Sequence, residues 1–122
     1  MINNLNKAIK LACEAHDGQF DKTGKPYILH PLRLLIKLKN IDEMQVAVLH
    51  DVVEDSDMTL EVLRKKGFEE SVLKAIECLT KKTGEDYSDF ISRVLLNDLA
   101  RKVKIEDIKD NMDLSRLDKV EE

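Results

Sequence analysis

The chain has 122 residues, 43% hydrophobic and 36% charged, which suits one domain with a buried core and excludes wholesale disorder. Aromatic residues make up only 4%, with no Trp, and 20 Lys and Arg stand against 24 Asp and Glu for a net charge of -4. A groove of stacked rings and a chain-wide basic surface are thereby excluded, and with them general nucleic-acid binding. A small anionic ligand stays open, provided that local cations or a metal ion offset the overall repulsion.

Cys13 and Cys78 lack the spacing of a zinc site or a redox pair and are expected to be reduced core thiols. The N-terminus turns polar within a few residues, and the longest strictly apolar run is Val46 to Leu49. No signal peptide or membrane span is therefore expected, and the cytoplasm is the expected location.

Leu5, Ala8, Ile9, Ala12 and Cys13 recur at three- and four-residue steps and predict an amphipathic helix from about Asn4 to His16. From Asp17 to His30 the helical period disappears among Gly18, Gly24 and Pro26, so a long loop is expected, of a size that more often carries function than short loops do. Pro31 suits the first turn of a second helix through Leu32, Leu35, Ile36 and Leu38, ending near Asn40. Asp42 and Gln45 have the spacing of a capping-box variant and open a third helix through Met44, Ala47, Val48 and Asp51.

Thr59 is a cap for a short helix ending at Gly67, and Ser71 to Thr80 forms another with Val72, Leu73, Ile76 and Leu79 inward. After a Lys81–Gly84 turn, Phe90, Ile91, Val94, Leu95 and Leu99 mark a helix from Tyr87 to about Arg101; the pattern allows it to continue to Met112 or to break near Asn97. No segment alternates at period two. The expected fold class is all-α, an irregular bundle of about six helices in one domain over residues 1–122.

His50 and Asp51 follow Val46–Leu49 directly, and helical spacing sets Asp51 under Ala47 and Val48 on an apolar stripe. A carboxylate buried there needs an Arg, a hydrogen-bond network or a metal, because an unpaired buried charge costs several kcal/mol. Glu54 lies four residues after His50 and Asp55 four after Asp51, so one imidazole and three carboxylates share adjacent faces over one turn. A solvated acidic helix end beside an ordinary core histidine is the competing reading. Against it, the helix macrodipole disfavours carboxylates at a C-terminus by roughly 0.3–1 kcal/mol each.

His30 precedes Pro31, which biases its backbone toward extended conformations, and its ring can point across at another helix. Near the C-terminus Asp107 and Asn111 share a helical face with Val103. Together His30, His50, Asp51 and Asp107 form a mixed nitrogen and oxygen set suited to manganese, iron, zinc or another first-row divalent ion. Four protein ligands on such an ion leave positions for water and a substrate oxygen.

A His, then a His-Asp pair, then a distant Asp on helices resembles the HD-domain metal-dependent phosphohydrolases. The segments His16-Asp17-Gly18-Gln19, Lys22-Thr23-Gly24-Lys25-Pro26-Tyr27-Ile28-Leu29-His30-Pro31 and His50-Asp51-Val52-Val53-Glu54-Asp55 resemble more narrowly the hydrolase domain of the RelA/SpoT family and its small alarmone hydrolases, over about Leu5 to Leu117. The resemblance implies an all-helical HD fold, a bound manganese ion and removal of the 3′-pyrophosphate from ppGpp or pppGpp. It implies His30, His50, Asp51 and Asp107 as metal ligands, with Glu54 and Asp55 as the acids that orient or deprotonate the attacking water. The block Val103-Lys104-Ile105-Glu106-Asp107 selects Asp107 over Asp110, and Lys22 and Asn111 match residues of the nucleotide site; Lys25 is a further candidate for the phosphate end.

Two positions depart from the family pattern. Asp21 stands where an arginine commonly packs on the base, and Leu114 where a hydroxyl residue helps to hold the nucleotide. The sequence runs only fifteen residues past Asp107, so the closing helices, synthetase domain and regulatory domains of longer members are expected to be absent. The expected partner is a small nucleotide rather than nucleic acid or membrane, and a non-catalytic helical module that binds a nucleotide or a protein is the alternative.

Overall fold

The computed structural model describes residues 4–112, through which seven helices run. These are α1 (Leu5–Ala15), α2 (Leu29–Lys37), α3 (Ile41–Asp55), α4 (Leu60–Lys65), α5 (Glu70–Leu79), α6 (Tyr87–Leu95) and α7 (Asp98–Asn111). Among the described residues there is no strand beyond an isolated antiparallel bridge between Phe20 and Pro26, as the all-α expectation requires. No helix among them is long and apolar enough to cross a membrane.

The bundle is arranged around α3, which packs against α1, α2, α5 and α7. Its Val46, Ala47, Val48, Leu49 and Val52 have no exposed surface, and Gln45 and His50 are buried as well. A helix apolar on nearly every side belongs in the centre of a fold, whereas the one-sided stripes of α1 and α5 suit outer layers. Leu34 from α2, Leu73 and Ile76 from α5 and Val103 from α7 complete the core around it.

One open expectation is settled and three are corrected. The seventh helix arises because the run from Tyr87 breaks at Asn97, whose side chain accepts the Ala100 N–H at 2.9 Å and so caps α7. The capping box of α3 lies two residues earlier than Asp42 and Gln45: Asn40 accepts the Glu43 N–H at 2.8 Å and donates to its carboxylate at 2.9 Å. Gln45, held in the core, is not placed to reach back. His30 does not close an extended loop but lies within α2, where its N–H bonds to the Tyr27 carbonyl and Pro31 occupies the first turn. Both cysteines are free, and Cys78 is half-buried against the core, but Cys13 is exposed and is not a core thiol.

Candidate active site

The loop between α1 and α2, the ends of α2 and α3, the α5–α6 connection and the inner face of α7 enclose an open cavity of about 670 Å³. His30, His50, Asp51, Glu54, Asp107 and Asn111 all line it. Residues up to 81 positions apart in sequence are brought together because α2, α3 and α7 pack pairwise around one junction.

Both histidines have one ring nitrogen committed away from the cavity. His50 Nδ1 donates to the Ala47 carbonyl at 2.9 Å, one turn back on its own helix. His30 Nδ1 lies 2.6 Å from Asp110 Oδ2, and Asp110, fully buried, also accepts two bonds from the Arg33 guanidinium at 2.8 and 3.0 Å. These partners assign the proton of each neutral imidazole to Nδ1 and leave Nε2 as a lone pair. Each Nε2 then faces a carboxylate oxygen: His30 meets Asp107 Oδ1 at 2.8 Å and His50 meets Asp51 Oδ1 at 3.2 Å.

Two lone pairs at such a distance repel unless a proton or a cation lies between them. Donor atoms about 2.1 Å from one ion at right angles lie about 3 Å apart, so both separations suit neighbouring ligands. As they stand, no three His, Cys, Asp or Glu side chains among the described residues are gathered closely enough to hold an ion. The four groups form two internally bonded pairs instead, with outward hydrogen bonds of the kind that orient metal-ligating histidines.

The electrostatics follow from this crowding. Burial opposes a charged His30, but its bonds to Asp107 and Asp110 outweigh that and raise its pKa. Burial likewise opposes ionisation of Asp107, yet the bond that a protonated His30 donates from Nε2 in the absence of a metal, together with the neighbouring positive charges, holds its carboxyl at about 2. Glu54 and Asp55 go the other way: burial first, and then the nearby Asp51 carboxylate, push both above the ordinary carboxylate range. The Lys81 backbone N–H, bonded to Glu54, partly offsets this.

Tyr27 is a site residue to which no role attaches from its sequence position. Its hydroxyl donates to Asp51 Oδ2, and its ring packs against both His16 and His30. The phenol therefore holds one oxygen of Asp51 and leaves the other facing His50. Asp110, Arg33, Lys81 and Lys104 also escape sequence reading, because nothing in local spacing reveals which acid or lysine a helix junction will collect. The one usable signal is that Asp110 lies three residues after Asp107 and Arg33 three after His30, each pair on one helical face.

Of the cations expected at the phosphate end, Lys22 lines the cavity and Lys25 does not. Lys81 and Lys104 line it instead, Lys104 lying 3.3 Å from Asp107 Oδ2 and over the Phe90 ring. Asp55 lies just outside the lining, at the exposed end of α3, where its carbonyl accepts from the Gln19 side chain at 3.3 Å. Asp21 lines the cavity and also shapes the loop: its Oδ1 accepts from the Thr23 N–H, the Thr23 hydroxyl and the Lys25 N–H at 2.8, 2.7 and 3.1 Å. Gly24, with φ at 84°, completes that turn in the left-handed region. Leu114 lies outside the described residues.

No family model matches the chain. It is 40% identical over 81 residues to the guanosine-3′,5′-bis(diphosphate) 3′-pyrophosphohydrolase of Aquifex aeolicus strain VF5, a match covering 63% of this chain and 12% of that protein. The enzyme of the same description from Vibrio cholerae is 37% identical over 84 residues, 66% of this chain and 12% of its own. The bifunctional (p)ppGpp synthase/hydrolase SpoT of Escherichia coli K12 is 34% identical over 84 residues, with the same coverage. The matched part thus spans about an eighth of these relatives.

A solved structure, described as a metazoan ortholog of SpoT that hydrolyses ppGpp and plays a role in starvation responses, superposes with a TM-score of 0.75 at 22% identity, covering 91% of this chain and 69% of that one. The fold is accordingly the helical HD type. In sequence the chain is similar to the RelA/SpoT-type (p)ppGpp hydrolases over the matched region.

Proposed function

We propose that this domain is a divalent-metal-dependent phosphohydrolase of a nucleotide-like pyrophosphate ester, with the 3′-pyrophosphate of ppGpp as leading substrate and manganese as the ion. The observation that carries the reading is the pair of imidazoles whose Nδ1 atoms are committed outward while their Nε2 atoms face Asp107 and Asp51 across one cavity. The resemblance to ppGpp hydrolases over 63–66% of the chain supports the substrate.

His30, His50, Asp51 and Asp107 hold the ion. When bound, such an ion polarises a phosphoryl oxygen and lowers the pKa of water. Glu54 accepts the water's proton, being the carboxylate that lines the cavity one turn beyond His50. Asp55 is the second acid, placed to orient rather than to touch. Lys22, Lys81, Lys104 and Asn111 surround the phosphate end with donors.

The test uses the purified protein with manganese, ppGpp and a panel of phosphate esters. The parent should hydrolyse ppGpp, and Glu54→Gln should keep metal binding while losing roughly 10²–10⁴-fold in turnover, the usual worth of a general base. A parent that binds metal but turns over no substrate would establish the non-catalytic module instead.

A further inference from the structure

We propose that the exposed ring of Phe20 is the platform on which the substrate's base stacks. The site then accepts 3′-pyrophosphorylated nucleotides as a class and is tolerant of which base they carry. This deepens the phosphohydrolase reading and rests on it.

The chain has five aromatic residues, three Phe and two Tyr. Four have evident structural work. Phe68 and Phe90 are buried at 4% and 5% exposure, Tyr87 packs on Phe90, and Tyr27 is bonded to Asp51. Phe20 differs, being 65% exposed and yet part of the cavity wall. Its surface is open to a flat apolar ligand, and the face of any nucleobase meets that description.

The ring is also held in place from its backbone. Phe20 bridges to Pro26, the Tyr27 N–H bonds to the Gln19 carbonyl at 2.9 Å, and the Asp21 N–H bonds to the Lys25 carbonyl at 2.8 Å. This narrow hairpin is tied down further by the Asp21 carboxylate, and it meets α3 where Gln19 bonds to the Asp55 carbonyl. A ring presented on a braced turn loses little freedom on stacking. Lys22, two residues on, lines the same cavity and offers a cation for the phosphates.

Asp21 cannot perform the packing itself. Its Oδ1 already accepts three hydrogen bonds from Thr23 and Lys25, and a carboxylate has no attraction for the electron-rich face of a base. Stacking on a phenyl ring reads the π-face that every base shares. Discrimination between guanine and adenine should accordingly be small.

The experiment measures calorimetric affinities on a Glu54→Gln background that prevents turnover, in manganese. The probes are ppGpp, its adenosine counterpart and the base-free methyl riboside 3′,5′-bis(diphosphate). Phe20→Ala should weaken both nucleotides about 5- to 100-fold, the span of one base–aromatic stack, while changing the base-free compound less than about twofold; Phe20→Trp should restore binding.

Before the substitution, ppGpp and its adenosine counterpart should bind within about threefold of each other. Equal weakening of all three probes by Phe20→Ala, no weakening at all, or a guanine preference above about tenfold would each overturn the proposal. The parent's hydrolysis of ppGpp is followed separately. Phe20-dependent binding without hydrolysis would uphold the stack and refute the phosphohydrolase reading, and hydrolysis without Phe20 dependence would do the reverse.

Discussion

Asp110 shows how much one buried side chain can decide. It has no exposed surface, receives a bidentate bond from Arg33 and holds His30 Nδ1, so it selects the tautomer that presents Nε2 to the cavity. Burial disfavours its charge, but the bonds from Arg33 and His30 prevail and hold its carboxyl below the usual range. Asp110→Asn preserves the shape and removes the charge that pairs with both. Affinity for a divalent ion should fall roughly 10- to 100-fold, the usual cost of losing a partner behind a ligating histidine. A chelator-competition titration checks this, and unchanged affinity would show that Asp110 serves Arg33 alone.

At the scale of elements, the connection between α5 and α6 is set by a single arginine. Arg93 donates to the Glu77, Cys78 and Thr80 carbonyls at the end of α5, at 3.2–3.3 Å, and to both Glu85 carboxylate oxygens at 2.7 and 2.9 Å. The Glu77 carbonyl, which also accepts the Thr80 N–H, and those of Cys78 and Thr80 are thereby tied to α6. Lys81 is consequently held where its N–H reaches Glu54.

The bonds from Arg93, followed by the Lys82 N–H, lower the Glu85 pKa to about 2. A carboxylate depressed in the folded state stabilises it fully above the unfolded-state value of 4.5, and that contribution disappears as pH falls toward 2. Acid titrations of unfolding free energy should therefore show the gap between the parent and Glu85→Gln narrowing from pH 5 to pH 2. A gap that stays constant over that window would show that Glu85 acts by packing alone.

At the scale of the whole molecule, a chain of net charge -4 gathers Asp51, Glu54 and Asp107 around one cavity, with Asp55 at its edge. The raised values of Glu54 and Asp55 register the mutual repulsion, with burial as the larger cause. A cation bound only by the folded chain stabilises it by about 2.7 kcal/mol at a hundred times its Kd. For a chain of this size that is a rise in Tm on the order of 10 °C. Scanning calorimetry with manganese, and then with excess EDTA, should show the rise and its reversal; no shift at saturating manganese would refute a metal site at this junction.

Much of this is legible in the sequence alone. Helix period and caps depend on residues three or four apart, so α1, α4, α5 and the core of α3 follow from local pattern, as does the all-α class. The histidines and carboxylates stood out because burying them without partners is costly. Their partners did not. Asp110 behind His30, Tyr27 on Asp51, and Lys81 and Lys104 in place of Lys25 depend on how α2, α3 and α7 meet, which no local spacing encodes. His30, helical against the bias imposed by Pro31, meets Asp107 and Asp110 from 77 and 80 residues away. Local sequence determines which groups need a partner, and only packing decides which partner each one meets.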